Sequence, residues 1–136
     1  MIELPPPLRI EPRWTDLDPV GHVNNNVFLV YAEEARARFL QQALPDAWAH
    51  IVVVHNGVDY HSSVVVTDTL EVTARVESIG RTSFTTLNTI ATDTGRACAT
   101  VRTVQVVLDQ AQQRPRPWSE AELATLNSLS TESAVR

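Results

Sequence analysis

Between Asp16 and Asn26 the chain reads Asp16-Leu17-Asp18-Pro19-Val20-Gly21-His22-Val23-Asn24-Asn25-Asn26, which gathers two carboxylates, an imidazole and three carboxamides into one polar run. Carboxylates and imidazoles move protons or bind cations, whereas Asp and Asn also close turns and cap helices. As a calcium loop the run fails: Val20 stands where a fifth-position ligand belongs, and Val27 where a bidentate Glu is needed. An Asp-x-Asp phosphatase site would need a parallel α/β sheet, which the rest of the chain does not encode. Asp16, Asp18 and His22 have suitable donor atoms for a metal but no recognisable ligand spacing, and no metal site is expected. Asp16 is expected to cap a turn, whereas for Asp18 the residues that surround it favour a functional role.

The elements around this run must hold it in place. Leu8, Ile10 and Pro12 alternate with Arg9, Glu11 and Arg13, so a half-buried or edge strand is expected up to Trp14. After the polar run the period changes: Phe28, Tyr31, Ala32, Ala35, Phe39 and Ala43 share one helical face, giving a long helix that ends near Pro45. Ile51–Val54 and Val58–Val66 read as strands separated by Asn56-Gly57, a hairpin or bulge signal. Strands follow over Leu70–Glu77, Thr82–Thr92 and Arg96–Leu108, with turns at Gly80 and at Asp93-Thr94-Gly95. Beyond the polar connection Gln110–Pro117, Ser119-Glu120-Ala121-Glu122 is a capping box opening a short helix over 119–129, and the tail from Ser130 is expected to fray. One strand, one long helix and four or five further strands give an α+β domain spanning 1–136, with an antiparallel sheet. One helix covers one face of that sheet, so a partner subunit is expected on the other.

Composition narrows the function. The 136 residues are 43% hydrophobic with a formal charge of −5, too apolar for disorder and too acidic for non-specific nucleic-acid binding. No apolar run approaches the ~18 residues of a membrane span, and Met1–Pro7 lacks the basic and apolar regions of a secretory signal. The lone Cys98 allows neither an internal disulfide nor a Cys-based zinc site, so a reducing cytoplasm is the expected compartment. All eleven basic residues are Arg, which excludes Schiff-base chemistry on Lys.

Arg13-Trp14-Thr15-Asp16-Leu17-Asp18-Pro19-Val20-Gly21-His22-Val23-Asn24-Asn25, followed by Val27-Phe28-Leu29 and Glu34-Ala35-Arg36, resembles the hotdog-fold thioesterases. It is most similar to the 4-hydroxybenzoyl-CoA and YbgC/FadM-like acyl-CoA branch; the same Asp-x-Asp-x-x-Gly-His-Val-Asn-Asn form occurs in plant acyl-ACP thioesterases. Val58-Asp59-Tyr60, Asp68-Thr69-Leu70-Glu71-Val72 and Ile79-Gly80-Arg81-Thr82-Ser83-Phe84 extend the likeness over roughly residues 8–108. The resemblance implies a hotdog fold, an antiparallel sheet wrapped around one long helix. It also implies hydrolysis of an acyl-CoA thioester without a cofactor, in a homodimer or homotetramer whose sites form between subunits. Some members of the branch carry a catalytic His where this chain has Asn25, whereas His22 matches the plant form.

By this resemblance Asp18 is the catalytic carboxylate, either attacking the thioester to form a mixed anhydride or deprotonating water. The backbone N–H of Asn25 is the expected oxyanion donor at a helix start, where free N–H groups and the dipole favour negative charge. Asn24 either shapes the loop or orients a group near the carbonyl, and His22 is either structural or catalytic. Arg81, with Ser83 as a hydroxyl donor, is the candidate for the CoA phosphates, since a guanidinium offers a bidentate fork. Phe28, Tyr31 and Tyr60 are expected to pack the core. The rival classes are a non-catalytic acyl-CoA or lipid binder, which has no need of Asp18; a hotdog dehydratase, which needs a His on the helix; and an acyl-sensing DNA regulator, which needs a basic module.

Overall fold

The computed structural model describes residues 5–130. Its elements, in order, are β1 (Leu8–Ile10), α1 (Val27–Ala43), β2 (Ile51–Tyr60), β3 (Leu70–Ile79), β4 (Ser83–Thr92), β5 (Ala97–Val107) and α2 (Glu120–Ser128). The five strands form one sheet in the order β1-β3-β4-β5-β2, and every neighbouring pair is antiparallel. Within the described residues no helix is long and apolar enough to cross a membrane.

The helix lies across β3, β4 and β5, and its buried side is the face set by the sequence period: Phe28, Tyr31, Ala32, Ala35, Phe39 and Ala43. Two apolar clusters result. One joins Phe28, Tyr31 and Ala32 to Leu70, Val72, Ile90, Cys98 and Val101. The other joins Phe39, Leu40 and Ala43 to Val76, Phe84 and Val107, closed by Trp118, Leu126 and Leu129 around α2. The α2 capping box forms as its sequence requires, and Trp118 stacks edge-on against Phe84 while its indole N–H donates to Ser83 O at 3.0 Å.

Four expectations are corrected. β1 stops at Ile10, because Pro12 cannot donate to a ladder and Trp14–Asp16 winds into a 3-10 turn. Asn56-Gly57 does not turn: both residues pair with β5, and the irregularity in β2 falls between Val53 and His55, around Val54. That strand ends at Tyr60 instead of reaching Val66, since the N–H groups of His61 and Ser62 both turn to Cys98 O. Ser130 bridges to Val76, while the rest of the tail lies outside the described residues.

The sheet face away from α1 is not apolar. Thr73 and Thr89 are hydrogen-bonded across it, Arg102 grips Glu77, and Leu87 sits buried directly opposite Arg75 and Arg102. The exposed apolar surface lies instead on edge strand β2, where Val52, Val53 and Val54 stand 41–60% exposed.

Candidate active site

The polar run folds into a loop anchored by its first carboxylate. Asp16 is buried at the end of the 3-10 turn, where its Oδ2 accepts from the Arg13 N–H at 2.9 Å and from the Tyr31 hydroxyl at 2.7 Å. Its Oδ1 accepts from the Arg13 guanidinium at 3.1 Å. Burial pushes the Asp16 carboxyl upward, but these three donors outweigh it and hold the group below the usual carboxylate range. Burial and the Asp16 bond together drive the Tyr31 phenol up. Asp16 is therefore the loop's internal fastener. Among the described residues no group of three His, Cys, Asp or Glu side chains gathers into a metal site.

Asp18 is partly exposed and does two things at once. Its Oδ1 accepts from the N–H groups of Val20 (3.0 Å) and His22 (3.1 Å), closing a turn that Gly21 completes in the left-handed region at φ +83°. Its N–H also donates to His22 O at 2.7 Å, so residues 18 and 22 are clamped in both directions. The second carboxylate oxygen, Oδ2, carries no hydrogen bond among the described residues and belongs to a group that lines a cavity.

Of the three consecutive asparagines, Asn25 lines that cavity, and the other two fix its backbone. Asn24 N–H donates to Asp16 O at 2.8 Å, and Asn24 O accepts from Val27 N–H at 2.9 Å, which starts α1. The Asn24 side chain accepts from Asn26 N–H at 2.9 Å, and Tyr60 donates its hydroxyl to Asn25 O at 2.9 Å. Both peptide units flanking Asn25 are thus held, yet its own N–H has no acceptor among the described residues. Asn26 makes no side-chain cap, and the first turn of α1 contains no acidic residue, so the positive end of the helix dipole stays unneutralised. The bonds to Asp16, Val27 and Asn26 tie Asn24 into the shape of the loop.

Asp18, His22, Asn25, Phe28 and Tyr60 line one cavity of about 250 Å³, completed by His61 and Ser62-Ser63. Tyr31 and Phe28 are core residues as expected, although Phe28 also faces the cavity. Tyr60 is 46% exposed and belongs to the site, its ring edge-on to Phe28 at 5.5 Å. Sequence reasoning missed His61, whose Nε2 lies 3.0 Å from the Thr100 hydroxyl, and the Arg96 guanidinium, which holds Ser62 Oγ at 2.6 Å and Ser63 O at 2.8 Å. No local motif marks either residue.

Arg81 and Ser83 lie elsewhere. Tyr60 pairs with Ala99 and Ser83 with Val106, and the seven intervening steps of β5 put roughly 23 Å between the two ends at ~3.3 Å per residue. One chain therefore does not bring Arg81 to Asp18. The Arg81 side chain is exposed in the β3–β4 turn, and its carbonyl accepts from Trp118 N–H.

The model of the thioesterase-like superfamily matches residues 12–126. The chain belongs to that superfamily. It is a thioester hydrolase with the hotdog fold. A thioesterase from Thermus thermophilus, crystallised with coenzyme A and Zn, is 36% identical with a TM-score of 0.84, over 93% of this chain and 94% of that one. A predicted thioesterase from Bacillus stearothermophilus is 28% identical with a TM-score of 0.83, over 91% and 95% of the two chains. The uncharacterized Bacillus subtilis (strain 168) protein YsmA is 24% identical over 121 residues, which is 87% of this chain and 82% of YsmA.

Proposed function

We propose that this hydrolase cleaves acyl-CoA thioesters to the free acid and CoA, with Asp18 as the central carboxylate. The observation that carries the reading is the pairing, at one cavity, of a carboxylate with one oxygen uncommitted and a helix-start N–H without an acceptor among the described residues. The first can activate a nucleophile; the second can hold the charge that develops on the carbonyl oxygen. The coenzyme A bound by the Thermus thermophilus relative supports CoA as the carrier.

Two routes fit the geometry. Asp18 Oδ2 attacks the thioester carbon, CoA leaves as thiolate and takes a proton, and water then opens the mixed anhydride. Alternatively Oδ2 takes a proton from water as that water attacks. In both, the Asn25 N–H donates to the oxyanion and the α1 dipole adds to it without a cationic side chain. His22 lines the same cavity, where its ring can contact the carbonyl or the leaving group.

A homodimer or homotetramer goes with this reading. A second copy meeting the β2 edge would satisfy its free backbone groups and cover Val52–Val54. Arg81 and Ser83, far from Asp18 of their own chain, are assigned to the CoA phosphates at a neighbouring copy's site. The compartment consistent with the lone Cys98 is a reducing cytoplasm. Thiol release across aliphatic and aromatic acyl-CoAs tests the function: turnover of at least one series supports it, and no release from any would refute it.

A further inference from the structure

The two apolar clusters beneath α1 do not meet without interruption. Thr86 and Asn88 from β4, Thr103 and Gln105 from β5, and Arg36 from α1 are all buried on the helix side of the sheet and form a polar seam. Arg36 has a side chain only 9% exposed, yet among the described residues its guanidinium finds one 3.3 Å hydrogen bond, to Thr103 Oγ1, and a loose 3.9 Å contact with the solvent-facing carboxylate of Glu33. The Gln105 amide is oriented by its nitrogen, which faces the carbonyls of Thr103 (2.7 Å) and Phe84 (3.4 Å) that only an N–H can meet. Its Oε1 is consequently a fully buried acceptor with no hydrogen bond among the described residues. A buried guanidinium short of acceptors beside a buried carbonyl short of a donor calls for a group that supplies both.

These groups line a trough. A cavity of about 500 Å³ runs between α1 and β2, walled by Val30, Leu40, Ile51 and Val53, with the buried Arg36 and Gln105 as polar points inside and the exposed carboxylates of Glu33 and Glu34 at its rim. That is the usual make-up of a small-molecule site. Register aligns the helix-facing residues of β2 in one row, Tyr60, Val58, Asn56, Val53 and Ile51, which leads from this trough to Tyr60 at the Asp18 cavity. From Asn25 to Arg36 the helix rises about 16 Å at ~1.5 Å per residue. An extended chain gains about 3.6 Å for every three bonds, so that span takes roughly a dozen carbons.

We infer that the trough holds a long acyl chain and that Arg36 and Gln105 recognise a hydroxyl at its far end. The hydroxyl accepts from the Arg36 guanidinium and donates to Gln105 Oε1. A methyl terminus would leave both groups unpaired, and a carboxylate could not donate to Oε1 and would oppose Glu33. The inference rests on the acyl-CoA reading and names the substrate class within it.

The test compares dodecanoyl-CoA with 12-hydroxydodecanoyl-CoA on the full-length protein. Wild type is expected to favour the hydroxylated chain in kcat/KM by about ten- to hundredfold, the value of a hydrogen bond to a charged group. Arg36→Met and Gln105→Met should each bring the ratio close to one; Gln105→Met is informative even if loss of the buried guanidinium prevents folding. Equal rates on both substrates by an active wild type would overturn the subsite and leave the thioesterase reading standing. Failure to hydrolyse any acyl-CoA would refute both. An Arg36→Met protein that dissociates into monomers while keeping the preference would assign the seam to subunit contact instead.

Discussion

Tyr31 reaches from α1 to a carboxylate fifteen residues earlier in the chain, and its 2.7 Å hydrogen bond to Asp16 fixes the reactive loop to the helix that supplies the oxyanion donor. Asp16 and Tyr31 are both buried, so removing one partner strands the other. Tyr31→Phe should cost about 1–2 kcal/mol and lower Tm by roughly 3–8 °C in calorimetry. An unchanged Tm would show that the loop is held some other way. Because the folded-state pKa of Asp16 is depressed, its contribution is present above the unfolded value near 3.8 and lost as pH falls below it. The gap between wild type and Tyr31→Phe should therefore narrow in acid.

For Asp18 the expected result separates chemistry from structure. In Asp18→Asn the amide oxygen can still accept from Val20 and His22, so the turn survives, while the uncommitted oxygen becomes an NH₂ with little basicity or nucleophilicity. A fall in kcat of about 10²–10⁴ with near wild-type thermal stability is expected. Near wild-type turnover by the folded variant would end Asp18's catalytic role. After a single turnover in ¹⁸O-water, label in the Asp18 carboxylate would establish the anhydride route with water opening it at the Asp18 carbonyl, whereas label confined to the free acid fits general-base attack or opening at the acyl carbonyl.

Asn24→Asp should trade activity for stability. The carboxylate keeps the acceptor for Asn26 N–H and adds negative charge at the start of α1, worth about 0.3–1 kcal/mol. The same charge opposes an oxyanion forming at the Asn25 N–H. Tm should rise slightly as kcat falls. A variant whose kcat rises with its Tm would argue that the developing charge lies elsewhere.

Arg81→Ala should raise KM for acyl-CoA several-fold with little change in kcat, because phosphate binding is shared by ground and transition states. The KM of the variant should also depend less on salt. An unaltered KM would reduce Arg81 to an exposed turn residue.

At the other end of the sheet, Arg116 and Glu122 form a bidentate pair at 2.8 and 2.9 Å, and chiefly that guanidinium draws the Glu122 carboxyl down to about 2. The depressed value means that the pair's contribution is complete above pH ~4.5 and lost as pH falls toward 2. Urea midpoints for wild type and Glu122→Gln should differ at pH 6 and converge near pH 2. A constant difference across that range would contradict the assignment.

What the sequence disclosed was local. The helical face from Phe28 to Ala43, the Ser119 capping box and the turn before Gly95 are set by neighbours a few residues apart, and each is where its spacing puts it. Asn56-Gly57 misled because its turn preference is weaker than the strand pairing available on β5, and Asn56 also accepts a 2.7 Å bond from Thr103. The Asp18 motif could be located from its residue types. The companions supplied by distant segments, Tyr60, His61 and Arg96, could not, because strand register decides who meets whom. The same limit applies to Arg81, whose motif says nothing about which end of the sheet its turn occupies.

The double acceptance by Asp18 Oδ1 makes the amides of Val20 and His22 built-in spectroscopic probes. Protonating that carboxylate, acylating it or drawing it toward a bound substrate alters the field along both N–H bonds at once. Their nitrogen and proton chemical shifts should move together, so in ¹⁵N-labelled protein two backbone resonances would report protonation and occupancy of the site without a chromophore or turnover.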